Sequence, residues 1–154
     1  MKSNKIALVA ILLWVVTVAV FAWFFVRGNT APGSDNRTAV VLAAGERELI
    51  LSEMRDLLGG IQDILDSINH GDMKRASSAA RTIGMASAAD VNPALMAKLP
   101  MPFKQLGMSV HHDMDDLAQA AESGKSAAEL QTMLTNTLSK CVACHASWQL
   151  KAGN

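Results

Sequence analysis

Ser126–Trp148 reads SAAELQTMLTNTLSKCVACHASW, and the fold follows from how this stretch is read. Ser126 with Glu129 three residues on is a capping box, in which each side chain satisfies a backbone N–H left free at a helix start. Leu130, Leu134, Leu138, Cys141, His145 and Trp148 then recur at spacings of four and three, which lines them along one side of a helix. A helix with one apolar side must pack that side against something. The only two cysteines of the 154-residue chain sit on it.

Working upstream, the same signature repeats. Phe103, Leu106, Val110, Met114, Leu117 and Ala121 form a second apolar line, entered through Pro102 and broken by "ESGKS". Ile50, Met54, Leu57, Ile61, Ile64 and Ile68 form a third, in a helix that the pattern extends back towards Val40. It is interrupted by Gly59 and Gly60 at up to about 1 kcal/mol each relative to Ala, and it ends at "NHG", a glycine C-cap. Asp72 caps a fourth helix, expected over Asp72–Ala89 and dominated by the small residues Ala76, Ser77, Ala79, Ala80, Gly84, Ala86 and Ser87. "DVNPALMAKLPMP" is a longer connection in which Asn92-Pro93 can start one short turn. Strand-like alternation and tyrosine are both missing from this region. The expectation is an all-α protein, an antiparallel four-helix bundle, preceded by a single transmembrane helix.

That preceding helix is read from Ile6–Val26, 21 consecutive residues without a formal charge. At 1.5 Å per residue they span a hydrocarbon core of roughly 30 Å. The run exceeds the apolar core of a cleaved signal peptide, and no small-x-small site follows it. Lys2 and Lys5 precede it and Arg27 follows, a bias that keeps the N-terminus in the cytoplasm and sends the body across. Residues 1–27 are thus expected to be a signal anchor, 28–38 ("GNTAPGSDNRT") a flexible linker, and 39–154 the folded domain. Residues 28–154 carry 11 Lys and Arg against 14 Asp and Glu. With neither a basic patch nor interleaved aromatics, nothing points to nucleic acid.

Cys141, Cys144 and His145 stand at i, i+3 and i+4, so two thiols and an imidazole leave the helix on one face. This C-x-x-C-H spacing is that of covalent haem attachment: both thiols add to vinyl groups and the histidine binds the iron. A dithiol redox pair would open a helix beside a sheet, and none is expected. A structural zinc would need a fourth ligand, and no second Cys/His pair at ligand spacing exists. The residues imply one covalent haem c on Cys141 and Cys144, with His145 as axial ligand.

"CVACHASW" together with "EMRDLLGGIQDIL" resembles the class II c-type cytochromes, the cytochrome c′ group, over Glu46–Leu150. The haem motif is the specific part; the rest is similarity of pattern. The resemblance implies a four-helix bundle around one haem, in a family of electron carriers and of binders of nitric oxide or carbon monoxide. It also implies a methionine ligand early in the first bundle helix, where Met54 stands as candidate second axial ligand; from the residues alone, Met54 is a seam methionine. Trp148 replaces the usual Tyr or Phe, Gln149 stands where a basic residue is frequent, and many relatives lack an anchor. Relatives dimerise through their first two helices, which raises a possible homodimer here.

Angle around the helix sorts the other ligand candidates. His111 flanks the core and is the one rival to Met54, while Met108 and His112 point nearly opposite the apolar line and are expected at the surface. His70 belongs to the helix end, Met101 and Met114 to packing, and Arg47 or Arg55 could pair with a haem propionate. The expected function is a membrane-tethered c-type cytochrome that carries single electrons and is not an enzyme. It would be a single-pass protein of the bacterial inner membrane with its haem domain in the periplasm, serving membrane-bound or periplasmic redox proteins. The alternatives are a gas-binding protein with an open distal site and an anchored adaptor whose cysteines form a disulfide.

Overall fold

The structure, a computed structural model, describes residues 2–89 and 91–153. Met1, Asp90 and Asn154 lie outside the described residues, and with them the outer limits of the expected anchor and domain and the first residue of the long connection. The chain runs α1 (Lys2–Arg27), β1 (Thr30–Pro32), β2 (Thr38–Leu42), α2 (Ala44–Asn69), α3 (Met73–Thr82), a 3-10 turn (Met85–Ala88), α4 (Pro93–Lys98), α5 (Met101–Glu122), α6 (Ala127–Ser147) and β3 (Trp148–Ala152). It is mostly helical, with one small three-stranded sheet.

Within α1, Asn4–Arg27 has a mean hydropathy of 2.7, and none of its apolar stretch is buried in the rest of the chain. That helix is long and apolar enough to cross a membrane. Of the other helices, α2 and α5 each pack against both α3 and α6. Ile61, Ile64 and Ile68 of α2, Met114 and Leu117 of α5, and Leu130 and Leu134 of α6 form the main buried cluster, with Ala76 and Ala80 of α3. Removing each large side chain from water contributes about 1.5–3 kcal/mol. The small α3 residues let its backbone approach α5 closely, and Gly60 does the same for α2, since a Cβ there would meet the Ile83 side chain at 2.7 Å.

Several expectations are corrected. The stretch read as a flexible linker carries β1 and the start of β2, paired antiparallel with Thr30 opposite Val40. "GSDNR", residues 33–37, is the turn between the two strands. The long helix does not extend back to Val40: Thr38–Leu42 is a strand that runs parallel to β3, with Thr38 opposite Trp148 and Leu42 opposite Ala152. The β-branched Thr38, Val40 and Val41 suit a strand, and Val40 and Leu42 are buried beneath the sheet. The helix expected over Asp72–Ala89 stops at Thr82, because Gly84 is extended (φ −77°, ψ −166°) and the chain resumes as a 3-10 turn. Asp115 fixes the break by accepting a 3.1 Å bond from the Met85 N–H.

The C-terminal end of α1 is joined tightly to the folded domain. Gly28, at φ 65°, turns the chain where any Cβ would strike the backbone of Lys98, Leu99 and Pro100. Asn29 then donates its N–H to Lys98 O at 2.7 Å and its side-chain amide to Val41 O at 2.9 Å. From α5, the buried Lys104 ammonium donates to Phe25 O at 3.0 Å and lies 3.6 Å from the Phe25 ring centroid. This lysine caps the end of α1, where the helix dipole favours a cation.

Candidate cofactor site

A second apolar cluster positions the site. Val40 and Leu42 from β2, Ile50 from α2, Leu95 and Leu99 around α4, and Phe103 from α5 are buried together, with Met54, Cys144, Trp148 and Leu150 packed against them. Phe103 and Trp148 meet edge to face, 6.0 Å between centroids at 88°. The strand β3 therefore holds the C-terminal end of α6 against β2 and α5. Because β3 begins where α6 ends, the sheet fixes the helix turn that carries the cysteines.

The buried side of α6 differs by a small rotation from the line read in the sequence. Leu130 and Leu134 are buried as expected, but Thr137 follows them inside, donating to Asp113 Oδ2 at 2.9 Å, while Leu138 is 36 % exposed. The inward seam runs 130, 134, 137, 141, 144, 148, in steps that alternate between four and three. Both cysteines lie on it, half-buried; His145 is one step off, exposed at its edge.

Two cavities meet at this point. The first encloses about 890 Å³ of empty space, its open mouth included, and its wall includes Met54, Leu57, Leu95, Phe103, Cys141, Cys144 and His145. The second, of about 500 Å³, is bounded by Arg37, Arg47, Leu51, Met54, Phe103, Cys144, His145, Trp148, Gln149 and Leu150. Met54, Phe103, Cys144 and His145 belong to both. The structure thus brings Cys141, Cys144, His145 and Met54 around one apolar cleft between α2, α4, α5 and α6.

The electrostatics of the thiols disfavour the thiolate form on which redox cycling depends. Burial pushes the thiol pKa of Cys141 up, with a further push from Asp113; burial likewise raises that of Cys144, helped by Cys141. Reactive dithiols instead sit at helix N-termini, where the dipole and cations stabilise a thiolate. Here both stand in the last two turns of α6, where the dipole opposes negative charge. The two thiols are free.

His111 also lines the cleft, half-buried, but its Nδ1 lies 2.9 Å from Ile83 O, in the break after α3. That bond fixes the ring against the break. Met108, expected at the surface, is half-buried and lines the first cavity. His112 is exposed and Met114 is fully buried in the main cluster, as read. His70 caps α2, with Nδ1 2.8 Å from Asp66 O. Arg55 is exposed and paired with Glu48 at 2.7 Å, so of the two candidate propionate partners only Arg47 lines a cavity.

Three contributors escaped the sequence reading: Lys104, Arg37 and the α4 residues. Lys104 is 7 % exposed, and burial lowers its pKa. A charged residue between Phe103 and Leu106, on an apolar seam, was the one available signal for it. Arg37 reaches the site only through the parallel pairing of β2 with β3, which no local pattern announces.

No family model matches this chain, and neither curated proteins nor solved structures return a match.

The lining of the cleft suits the group that C-x-x-C-H implies. An apolar wall, two half-buried thiols one helical turn apart, an imidazole and a thioether all border the same space. These donors and this lining fit a haem: the soft sulfur and the imidazole suit iron, and the apolar wall suits the macrocycle.

Proposed function

We propose that this protein is a membrane-tethered c-type cytochrome that carries single electrons, its haem covalently bound by Cys141 and Cys144. The observation that carries the reading is that both thiols of the C-x-x-C-H motif, its histidine and Met54 line one apolar cleft. When bound, the haem supplies a reversible one-electron ferric/ferrous couple. The chain's own part is to hold and to exclude. Cys141 and Cys144 tether the group, His145 offers an imidazole nitrogen, and Met54 offers a thioether from α2. Leu57, Leu95, Leu99 and Phe103 keep water away, which with the soft sulfur favours the ferrous form. No substrate is transformed.

The fold proposed with this function is an antiparallel four-helix bundle of α2, α3, α5 and α6, supported by the closed ring of contacts among them. The α1 helix would be a single-pass anchor in a bacterial inner membrane, with the domain in the periplasm, where haem is attached. Its partners would be membrane-bound or periplasmic redox proteins, and anchoring raises its effective concentration for the former. The second reading, a gas-binding protein, is favoured by the first cavity, which Met54 lines and which is open to solvent. Optical spectra of the haem-loaded protein with and without carbon monoxide decide between them. A six-coordinate low-spin form inert to the gas supports the carrier, and a high-spin form that binds it supports the alternative.

A further inference from the structure

A flexible tether would let the domain turn freely above a membrane, and the junction after α1 is of another kind. The end of α1 meets the domain at one corner, where α4 ends and α5 begins. Gly28 lies against the backbone of Lys98, Leu99 and Pro100, Asn29 donates to Lys98 O at 2.7 Å, and Lys104 donates to Phe25 O at 3.0 Å. Phe25 still belongs to the apolar span Asn4–Arg27. A bond to its carbonyl therefore sets the first turn of α5 level with the last turn of the helix that can cross a membrane. Trp23, Phe24 and Phe25 mark the depth, since aromatic rings settle among lipid headgroups. Arg27 lies over the Trp23 ring, 5.8 Å from its centroid.

The outer surface of this corner suits that depth. Its two lysines are engaged inward: Lys98 pairs with Glu46 at 2.6 Å, and Lys104 is buried against Phe25. Ala97, Pro102 and Gln105 are exposed there, and Met101 is half-buried. From Val91 to His112 the sequence holds no Asp or Glu, although the chain has 14. A carboxylate on such a face would be repelled by anionic lipid and would be costly to desolvate. The inner side of the same corner is wall of the candidate cofactor site, because Leu99, Phe103 and Lys104 line the first cavity.

We propose that the corner between α4 and α5 is a lipid-binding face, seated in the phospholipid headgroups of the membrane that α1 crosses. The cleft is thereby held against the membrane surface, with its wall of Leu99 and Phe103 towards the lipid. The proposal rests on the reading of α1 as an anchor given above, and it is independent of what fills the cleft.

The experiment places the full-length, isotope-labelled protein in nanodiscs of phosphatidylethanolamine and phosphatidylglycerol. Amide NMR intensities are compared with and without a lipid that carries a gadolinium chelate on its headgroup. Paramagnetic relaxation falls steeply with distance, so each amide reports how near it lies to the headgroups, and any effect of a bound cofactor is common to both samples. The amides of Ala97, Met101 and Gln105 should lose most of their intensity, as should those of Gly28 and Asn29. That of Gly124, roughly 30 Å further along α5 at 1.5 Å per residue, should keep most of its own. Strong loss at Gly28 and Asn29 with an even, weak loss across the domain would overturn the lipid face and leave the anchor intact. So would a loss centred on another part of the domain. Undiminished signals at Gly28 and Asn29 would overturn the anchor reading, and the face with it.

Discussion

Replacing Met54 by alanine separates the two functional readings, and its two effects can be sized from the structure. Met54, on α2, is half-buried in the cluster that holds Phe103 and Cys144, on the wall shared by both cavities. A fully buried Met→Ala change costs about 2–5 kcal/mol; at half burial, roughly 1–2.5 kcal/mol is expected from packing alone. For a domain of this size that is a fall of about 4–10 °C in the thermal midpoint. If the thioether is also an iron ligand, a second effect appears that packing cannot produce. The haem-loaded variant should turn from six-coordinate low-spin to high-spin and should bind carbon monoxide. Absorption spectra of wild type and Met54→Ala, with and without the gas, beside thermal melts of both, give the answer. A melt shift within that range with no change in spin state would refute Met54 as ligand and direct attention to His111, which lines the same cleft. A wild type already high-spin would refute it more directly and favour the gas-binding reading.

The paired glycines of α2 give a test of packing. Gly59 has nothing within 4 Å of an added Cβ, so Gly59→Ala should raise stability by up to about 1 kcal/mol through helix propensity, whereas Gly60→Ala must displace Ile83 and should lower it in the same denaturant titration. A pH test addresses the start of α6. The Ser126 hydroxyl and amide bonds, with Lys125, hold the Glu129 carboxyl down at about 2 from an ordinary 4.5. A carboxyl whose folded pKa is depressed adds stability that is fully present above the unfolded value and is lost as pH falls through the folded one. The thermal-midpoint difference between wild type and Glu129→Gln should therefore be largest above pH 4.5 and shrink towards pH 2. A difference that is constant across that window would contradict the capping box.

What could be read from the sequence and what could not divide along a physical line. The capping box at Ser126, the Asp72 cap, the Asn92-Pro93 turn start and the seams of α2 and α5 are local, set by residues three or four apart, and they stand where they were read. The strand β2 was misread because one of its partners, β3, comes from the far end of the chain, and the other, β1, is only three residues long and lies in a Gly/Pro/Ser/Asn-rich stretch that carries no strand pattern. The α6 seam shifted for a subtler reason: a buried threonine was not expected, yet Asp113 gives Thr137 a partner inside and lets Leu138 turn outward. For the candidate site, the placement of Cys141, Cys144 and His145 on neighbouring positions of one helix was legible because it depends on spacing within that helix alone. Lys104 and Arg37 were not, because each acts on a segment distant in sequence, Lys104 on the end of α1 and Arg37 on the His145 turn.

The central claim, that Cys141 and Cys144 carry a covalent haem, is tested most directly by the intact mass of the denatured protein from cells that contain the haem-attachment machinery. The account predicts the chain plus one haem for the wild type and the bare chain for the Cys141→Ala, Cys144→Ala double variant. A wild-type chain of bare mass from those cells, or a double variant that still retains haem after denaturation, would contradict it.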